Sequence, residues 1–106
     1  MVSKINEITE EQFEADVLNS GATIVVDFYG ADCVVCQTVA EWLDNMESEL
    51  TVEVKKIFLE SPGAKLAQNY QLRGIPTLIR FENGIEQNRM AGEFSLTQFR
   101  EFVLAD

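Results

Sequence analysis

Two cysteines that follow a strand-like segment constrain the fold of this chain more than any other feature of its sequence. Cys33 and Cys36 come just after TIVVDFYG, residues 23–30, a β-branched and aromatic run with little alternation. Such a run is typical of a strand covered on both faces. Apolar residues then recur every three or four positions, which predicts a helix from Asp32, its N-cap, to about Glu49. A buried strand that leads through both cysteines into a helix indicates an α/β domain.

An earlier helix is predicted in the N-terminal part of the chain. Thr9 is its candidate N-cap, and Gln12 three residues later completes a capping box. Ile8 and Phe13 occupy the two positions of a hydrophobic staple around this cap. The helix is expected to end near Gly21, which adopts left-handed backbone without a steric penalty.

The middle of the chain predicts a strand and then a short helix. Residues 51–60, TVEVKKIFLE, have the composition of a strand. Ser61 is the expected cap of the helix, which runs to about Tyr70 with Pro62 at its first position.

The C-terminal part predicts a β-hairpin and a last helix. Two strand-like runs within TLIRFENGIEQNRMA are joined by Asn83-Gly84, a dipeptide suited to a two-residue turn. The helix begins with a second capping box, Ser95 with Gln98. The residues expected to staple it or to face the sheet are apolar: Phe94, Phe99, Phe102 and Val103.

With a short first strand over residues 3–7, the predicted order of elements is β-α-β-α-β-α-β-β-α. Strands joined through helices are expected to pair in parallel, and the closing hairpin must be antiparallel. The prediction is therefore one domain over residues 1–106, with a central mixed β-sheet flanked by helices.

The charge of the chain limits its partners. The formal net charge of the 106 residues is -10, which repels phosphate backbones and anionic lipids. We therefore expect neither nucleic acid nor a membrane surface as a partner. The polar N-terminus does not resemble a signal peptide, and no apolar stretch approaches the length of a membrane span. The expected location is the cytoplasm, where structural disulfides are rare.

The spacing of the cysteines permits a disulfide. Residues three apart on a helix are neighbours, so a bond between Cys33 and Cys36 needs little backbone movement. The unpaired N–H groups and the dipole at a helix N-terminus favour a thiolate at Cys33, and thiolate is the attacking species in disulfide exchange. Cys33 is thus the predicted nucleophile and Cys36 the resolving thiol.

Two other uses of the cysteine pair stay open at this point. Buried cysteines are common as inert core residues. A zinc site would need further ligands, and the chain has no His and no second cysteine pair.

Several segments resemble the thioredoxin family over essentially the whole chain. VVDFYGADCVVCQ is similar to its strand and CxxC helix, RGIPTLIRFENG to its cis-proline segment, and MAGEF with the last helix also fits. The resemblance implies the thioredoxin fold, with Cys33 as nucleophile and Cys36 as resolving cysteine. It makes Asp27 the buried acid that exchanges a proton with Cys36, and Lys56 the lysine near it, with Lys55 as an alternative.

The resemblance also implies a groove for an extended substrate peptide. Pro76 would be the cis-proline that faces the disulfide, and the backbone of Ile75 would pair with the peptide. The residues expected to line or leave room in the groove are Val34, Val35, Gly74, Ala91 and Gly92.

Three residues around the cysteines depart from the family pattern. Val34 and Val35 stand where thioredoxins usually have Gly-Pro, and Asp32 replaces the usual tryptophan. A carboxylate beside Cys33 disfavours a thiolate and opposes the helix dipole, so the direction of the Cys33 pKa shift stays open.

The predicted function is a thiol–disulfide oxidoreductase that reduces protein disulfides and is re-reduced by a flavoprotein thioredoxin reductase. No cofactor beyond the cysteine pair is expected, and the chain is expected to be a monomer. Two alternatives remain: a redox-inactive binding module, and a more oxidising disulfide oxidase or isomerase.

Overall fold

A computed structural model describes residues 3–61 and 64–105 of the chain. It contains five strands and three α-helices within those residues. In chain order they are β1 (Ile5–Ile8), β2 (Thr23–Tyr29), α1 (Val34–Met46), β3 (Glu53–Phe58), α2 (Lys65–Asn69), β4 (Thr77–Glu82), β5 (Ile85–Ala91) and α3 (Leu96–Val103).

The strands form one mixed sheet in the order β1-β3-β2-β4-β5, which confirms the predicted α/β architecture. β3 runs parallel to both β1 and β2, while β4 is antiparallel to β2 and to β5. Asn83 and Gly84 join β4 to β5 with φ angles of 53° and 79°, as the predicted two-residue turn requires.

The expectation that helix-linked strands pair in parallel is wrong for β4. Among the described residues between β3 and β4, the only helix is α2, which has five residues and is therefore about 7.5 Å long. A strand of six residues spans about 20 Å, so α2 alone does not carry the chain back across the sheet, and the pairing of Phe28 with Thr77 places the start of β4 at the edge where β2 ends. β4 therefore starts at the edge where β3 ends, and it runs in the opposite direction.

The core is divided between the two faces of the sheet. One face packs against the N-terminal helical segment and α2, and its fully buried residues include Val17, Ile24, Val26, Phe28, Ile57 and Ile79. The other face packs against α1 and α3, and its fully buried residues include Val25, Val39, Val54, Leu78, Phe99 and Val103. The alternation along each strand thus assigns every second residue to the α1 side.

The N-terminal helical segment differs in type from the predicted single α-helix. Glu10–Gln12 form a 3₁₀ turn and Glu14–Leu18 form a π-helical turn. The side chain of Gln12 accepts a hydrogen bond from the Thr9 N–H at 2.9 Å, as expected for a capping box. Phe13 and Val17 are both buried, so tertiary packing of these two side chains outweighs the local preference for regular α-helix.

Two other helix boundaries also differ from prediction. α2 begins at Lys65 with Ala64 as its N-cap, so Ser61 does not cap it. Pro62 lies outside the described residues. α1 ends at Met46, and the turn that follows, Glu47–Glu49, is 3₁₀.

The N-terminus of α3 allows a test of local stability. The Ser95 hydroxyl accepts a hydrogen bond from the Gln98 N–H at 3.1 Å, and the Gln98 side chain accepts one from the Ser95 N–H at 2.8 Å. We expect Ser95→Ala to lower the free energy of unfolding by about 1 kcal/mol, because one N-terminal N–H loses its acceptor. Urea unfolding measures this loss. Thr97→Ala, an exposed change in the same turn, is the matched control, and an equal loss in both variants would contradict the capping role.

Candidate active site

The cysteine pair lies at the carboxyl edge of β2, where the chain enters α1. Cys33 is the N-cap of α1, with extended backbone at φ -123° and ψ 101°. Asp32 is therefore not the cap, which corrects the prediction. It has a φ of 55°, a left-handed conformation that an Asp adopts more readily than most residues. The turn at Asp32 thus leaves the cap position to a sulfur.

Cys33 and Cys36 form a disulfide, with their Cα atoms 5.2 Å apart. Cys33 is partly exposed, whereas Cys36 is 6% exposed. The Cys36 N–H lies 3.1 Å from Cys33 Sγ and points to it as a hydrogen-bond donor. A negative charge on Cys33 Sγ in the reduced state would thus meet a backbone donor and the positive end of the helix dipole.

The segment before β4 lies beside the disulfide because β4 starts at the edge where β2 ends. The Ile75–Pro76 peptide bond is cis, in agreement with the position that the resemblance implied. The Ile75 carbonyl oxygen lies 3.8 Å from Cys33 Sγ. The Thr77 hydroxyl donates to the Gly74 carbonyl at 2.7 Å, which ties this segment to the first residue of β4.

The predicted groove residues lie around this segment. Val34 is 77% exposed and Ile75 is 39% exposed, so two apolar side chains near Cys33 face solvent. Pairing of Thr77 with Ala91 brings the end of β5 alongside the start of β4. Gly92, the next residue, has a φ of 80°, and there is open space where a Cβ would lie. Val35 and Gly74 are also exposed.

A pocket of about 320 Å³ lies beside Ile75 and Gly74. Its apolar lining comes from Leu59, Ala67, Leu72 and Ile75, and Glu60 and Arg73 are among its polar lining residues. A larger concavity of about 770 Å³ lies near Glu10, Phe13 and Lys65. Neither pocket is lined by a cysteine, but the smaller one includes Ile75, whose carbonyl oxygen lies 3.8 Å from Cys33 Sγ, so it is the pocket next to the disulfide.

Asp27 is the buried acid of the site. It is 1% exposed and lies on the α1 side of the sheet, between Val25 and Tyr29 of its own strand. Its Oδ1 has no hydrogen-bond partner among the described residues. Burial raises the pKa of Asp27 to about 7, Lys56 opposes this rise, and Glu7 adds to it. The carboxyl group can therefore gain or lose a proton near neutral pH.

The strand register decides between the two candidate lysines. Asp27 pairs with Lys56 across β2 and β3, so both side chains project from the same face of the sheet. Lys55 projects from the opposite face, where its ammonium group lies 3.8 Å from Glu53. Lys56 is therefore the lysine beside Asp27.

Two residues near Asp27 were not predicted. Glu7 of β1 pairs with Lys56, and the Tyr29 hydroxyl donates to the Glu7 carboxylate at 2.7 Å. The Lys56 ammonium lies 4.9 Å from the centre of the Tyr29 ring. The sequence pattern of β1 indicates only that Glu7 and Ile5 share one face of the strand. Which residue of β3 lies opposite Glu7 depends on the pairing of the two strands, and that residue is Lys56.

No group of three potential metal ligands occurs in the described ranges 3–61 and 64–105. Within the same ranges no helix has both the length and the apolar character needed to span a membrane.

Comparison with known proteins agrees with this geometry. The family model described as Thioredoxin matches residues 4–105. The chain belongs to the thioredoxin family. It is 34% identical over 104 residues to a thioredoxin of Buchnera aphidicola, covering 96% of this chain and 95% of that protein. It is 28% identical to thioredoxin C-2 of Corynebacterium nephridii, covering 97% of this chain and 96% of that protein.

A third relative joins two activities in one polypeptide. The bifunctional thioredoxin reductase/thioredoxin of Mycobacterium leprae is 34% identical over 88 residues, which cover 81% of this chain and 19% of that protein.

Membership of the thioredoxin family identifies the chemistry of the cysteine pair. Cys33 and Cys36 form the redox-active disulfide of a thioredoxin-type thiol–disulfide oxidoreductase. The predicted family, fold class and disulfide-reductase activity are confirmed. The thioredoxin arrangement persists here although the residues between the cysteines are Val34 and Val35.

Proposed function

We propose that Cys33 is the nucleophile and Cys36 the resolving cysteine in the reduction of protein disulfides. In the reduced enzyme, the Cys33 thiolate attacks one sulfur of the substrate disulfide. A mixed disulfide forms, and the other substrate sulfur leaves as a thiolate that takes a proton. The Cys36 thiolate then attacks Cys33 Sγ, which releases the second substrate thiolate and closes the Cys33–Cys36 disulfide. Two electrons have passed from the enzyme to the substrate.

The difference in exposure between the two sulfurs carries this assignment. Cys33 is partly exposed at the N-cap, whereas Cys36 is buried and already within bonding distance of Cys33. A substrate sulfur can therefore reach Cys33, whereas the buried Cys36 is placed to attack only the neighbouring Cys33 Sγ.

Asp27 is the proposed proton acceptor for the Cys36 thiol, and Lys56 is its charged neighbour. With a pKa of about 7, Asp27 is divided between its acid and base forms at neutral pH. This is the range in which a general acid or base is most effective. Lys56 favours the ionised form of Asp27 and thus opposes the effect of burial.

An extended substrate segment is proposed to bind over the cis-proline segment. The backbone of Ile75 would pair with it, next to Cys33 Sγ and to the open space at Gly92. Gly74, Pro76 and Ala91 complete the backbone platform, and Val34 and Val35 contribute exposed apolar surface.

The contribution of Val34 is testable. We expect Val34→Ser to raise KM for a protein disulfide by roughly 3- to 10-fold, because part of the 1.5–3 kcal/mol available from burying a Val side chain is lost. Stability should change little, since the side chain is exposed. Ile85→Ser is the matched control, as Ile85 is 63% exposed on β5. An equal rise of KM in both variants would contradict a specific contact.

Re-reduction is proposed to come from a flavoprotein thioredoxin reductase. The fusion of the two named activities in the Mycobacterium leprae relative supports such a partner. We further propose that the chain acts as a monomer in the cytoplasm and needs no cofactor other than its own disulfide.

Equilibration with glutathione redox buffers tests the direction of electron flow. A potential near the thioredoxin value of about -270 mV supports a reductase, whereas one near about -120 mV supports an oxidase. Insulin reduction in the presence of a thioredoxin reductase tests the whole cycle. Absence of turnover would contradict the proposed reductase function.

A further inference from the structure

A strip of three charged side chains crosses the sheet beneath the active site. Glu7, Lys56 and Asp27 occupy paired positions on β1, β3 and β2, and all three project toward the α1 side. Lys56 is the central member, so an acidic residue is paired with it on the strand to either side. Where that ammonium rests determines how strongly it favours the ionised form of Asp27.

The position of the Lys56 ammonium is defined by Tyr29. It lies 4.9 Å from the centre of the Tyr29 ring, and the aromatic face attracts a cation. Phe58 packs edge-on against the same ring with centroids 5.5 Å apart, which restricts the movement of the ring. No hydrogen bond or ion pair joins Lys56 to Asp27, and Asp27 Oδ1 has no partner among the described residues.

Glu7 completes this arrangement. It accepts a 2.7 Å hydrogen bond from the Tyr29 hydroxyl, so its carboxylate is held at the edge of the ring over which the ammonium lies. We propose that Glu7 and Tyr29 are positioning residues for Lys56, which hold its ammonium over the tyrosine ring and away from a direct ion pair with Asp27. A larger fraction of Asp27 thereby stays protonated at neutral pH than would be protonated beside a closer cation. This inference rests on the proposed role of Asp27 as proton acceptor.

The strand paired with β2 on the other side adds no charge next to Asp27, since its residue at this position is Leu78. Cys36 of α1 does not titrate in the oxidised protein, because it is bonded in the disulfide. The charged and titratable groups that face Asp27 are therefore Lys56 of β3, Glu7 of β1 and Tyr29 of its own strand.

The test is an NMR titration of the Asp27 side-chain carboxyl carbon in the oxidised protein, where no thiol titrates. We expect Glu7→Gln to lower the Asp27 pKa by about 1 pH unit, because a cation that moves to ion-pair distance lowers a carboxyl pKa by about 1–3 units. Tyr29→Phe retains the ring but not the hydroxyl, and it should lower the pKa in the same direction. An unchanged pKa in Glu7→Gln would overturn the proposal.

Repeating Glu7→Gln in a protein that also carries Lys56→Gln distinguishes an effect of Glu7 on the position of Lys56 from direct charge repulsion between Glu7 and Asp27. If Glu7 acts through Lys56, Glu7→Gln should shift the Asp27 pKa much less when Lys56 is already glutamine. An equal shift with and without Lys56 would overturn the proposal, since Glu7 would then act directly through space. Glu53→Gln is the matched control, because it removes a carboxylate from the opposite face of β3. A shift there as large as in Glu7→Gln would also overturn it.

The titration is independent of the proposed catalytic role. The pH dependence of mixed-disulfide resolution should move to lower pH together with the Asp27 pKa in Glu7→Gln. A shifted titration with an unmoved rate profile would support the positioning role and contradict the assignment of proton transfer to Asp27.

Discussion

Disulfide reduction by the Cys33→Ser variant is expected to fall by more than roughly a thousandfold, because a serine hydroxyl is not ionised near neutral pH and forms no disulfide. The fold should be retained, since Cys33 is partly exposed and a serine side chain can also serve as an N-cap. Turnover of insulin, followed with a thioredoxin reductase or with dithiothreitol as the reductant, measures the loss.

Cys36→Ser is the matched variant and should fail at a different step. Attack by Cys33 remains possible, but the mixed disulfide has no internal thiol to resolve it. We therefore expect a stable covalent complex with a disulfide substrate, visible by mass spectrometry and reversed by added dithiothreitol. A covalent complex formed by Cys33→Ser in place of Cys36→Ser would show that the roles of the two cysteines are exchanged.

The second large effect concerns stability and its dependence on pH. Asp27 has a pKa of about 7 in the folded chain and an ordinary value of 3.8, so the folded state binds its proton more tightly. Between pH 4 and 7 the unfolded chain releases this proton first, and the free energy of unfolding therefore falls as the pH rises. Above pH 7 the loss is complete and amounts to about 4 kcal/mol, since each unit of pKa difference corresponds to about 1.4 kcal/mol.

Asp27→Asn should remove this pH-dependent loss. The variant is expected to match the wild type near pH 4 and to exceed its free energy of unfolding by several kcal/mol at pH 8, because a neutral amide replaces a buried carboxylate. Urea unfolding at a series of pH values measures the difference. Asp44→Asn, an exposed change on α1, is the control and should show no such divergence. Parallel curves for Asp27→Asn and wild type would contradict a raised pKa at Asp27.

The same variant should slow resolution of the mixed disulfide, because Cys36 loses its proposed proton acceptor. Burial of Asp27 thus has two consequences: it lowers stability at neutral pH, and it raises the pKa of the carboxyl group into the range useful for proton transfer. Active sites commonly contain groups with pKa values shifted in this way. The pH at which the loss of stability ends and the pH at which resolution accelerates should therefore both lie near the folded-state pKa of Asp27, about 7.

Much of the fold follows from local sequence signals. The Asn83-Gly84 turn, the Ser95 capping box and the buried run that contains Asp27 are all where the sequence predicts them. These features depend on residues close together in the chain, so their physical causes can be read locally. Helix starts are less local, because several cap-capable residues are present and packing selects among them: Ala64 caps α2 in place of Ser61, and Cys33 caps α1 in place of Asp32.

The sequence by itself determined the order of elements, the family, and a cysteine pair at the start of a helix, because propensity, capping and spacing act over a few residues. Only the tertiary structure decided that β4 runs antiparallel to β2, which brings the Ile75 carbonyl to Cys33. It also decided that Lys56 rather than Lys55 lies beside Asp27, and that Glu7 and Tyr29 join them. Strand register and direction arise from contacts between distant segments, and a shift of one residue would turn each of these side chains to the other face.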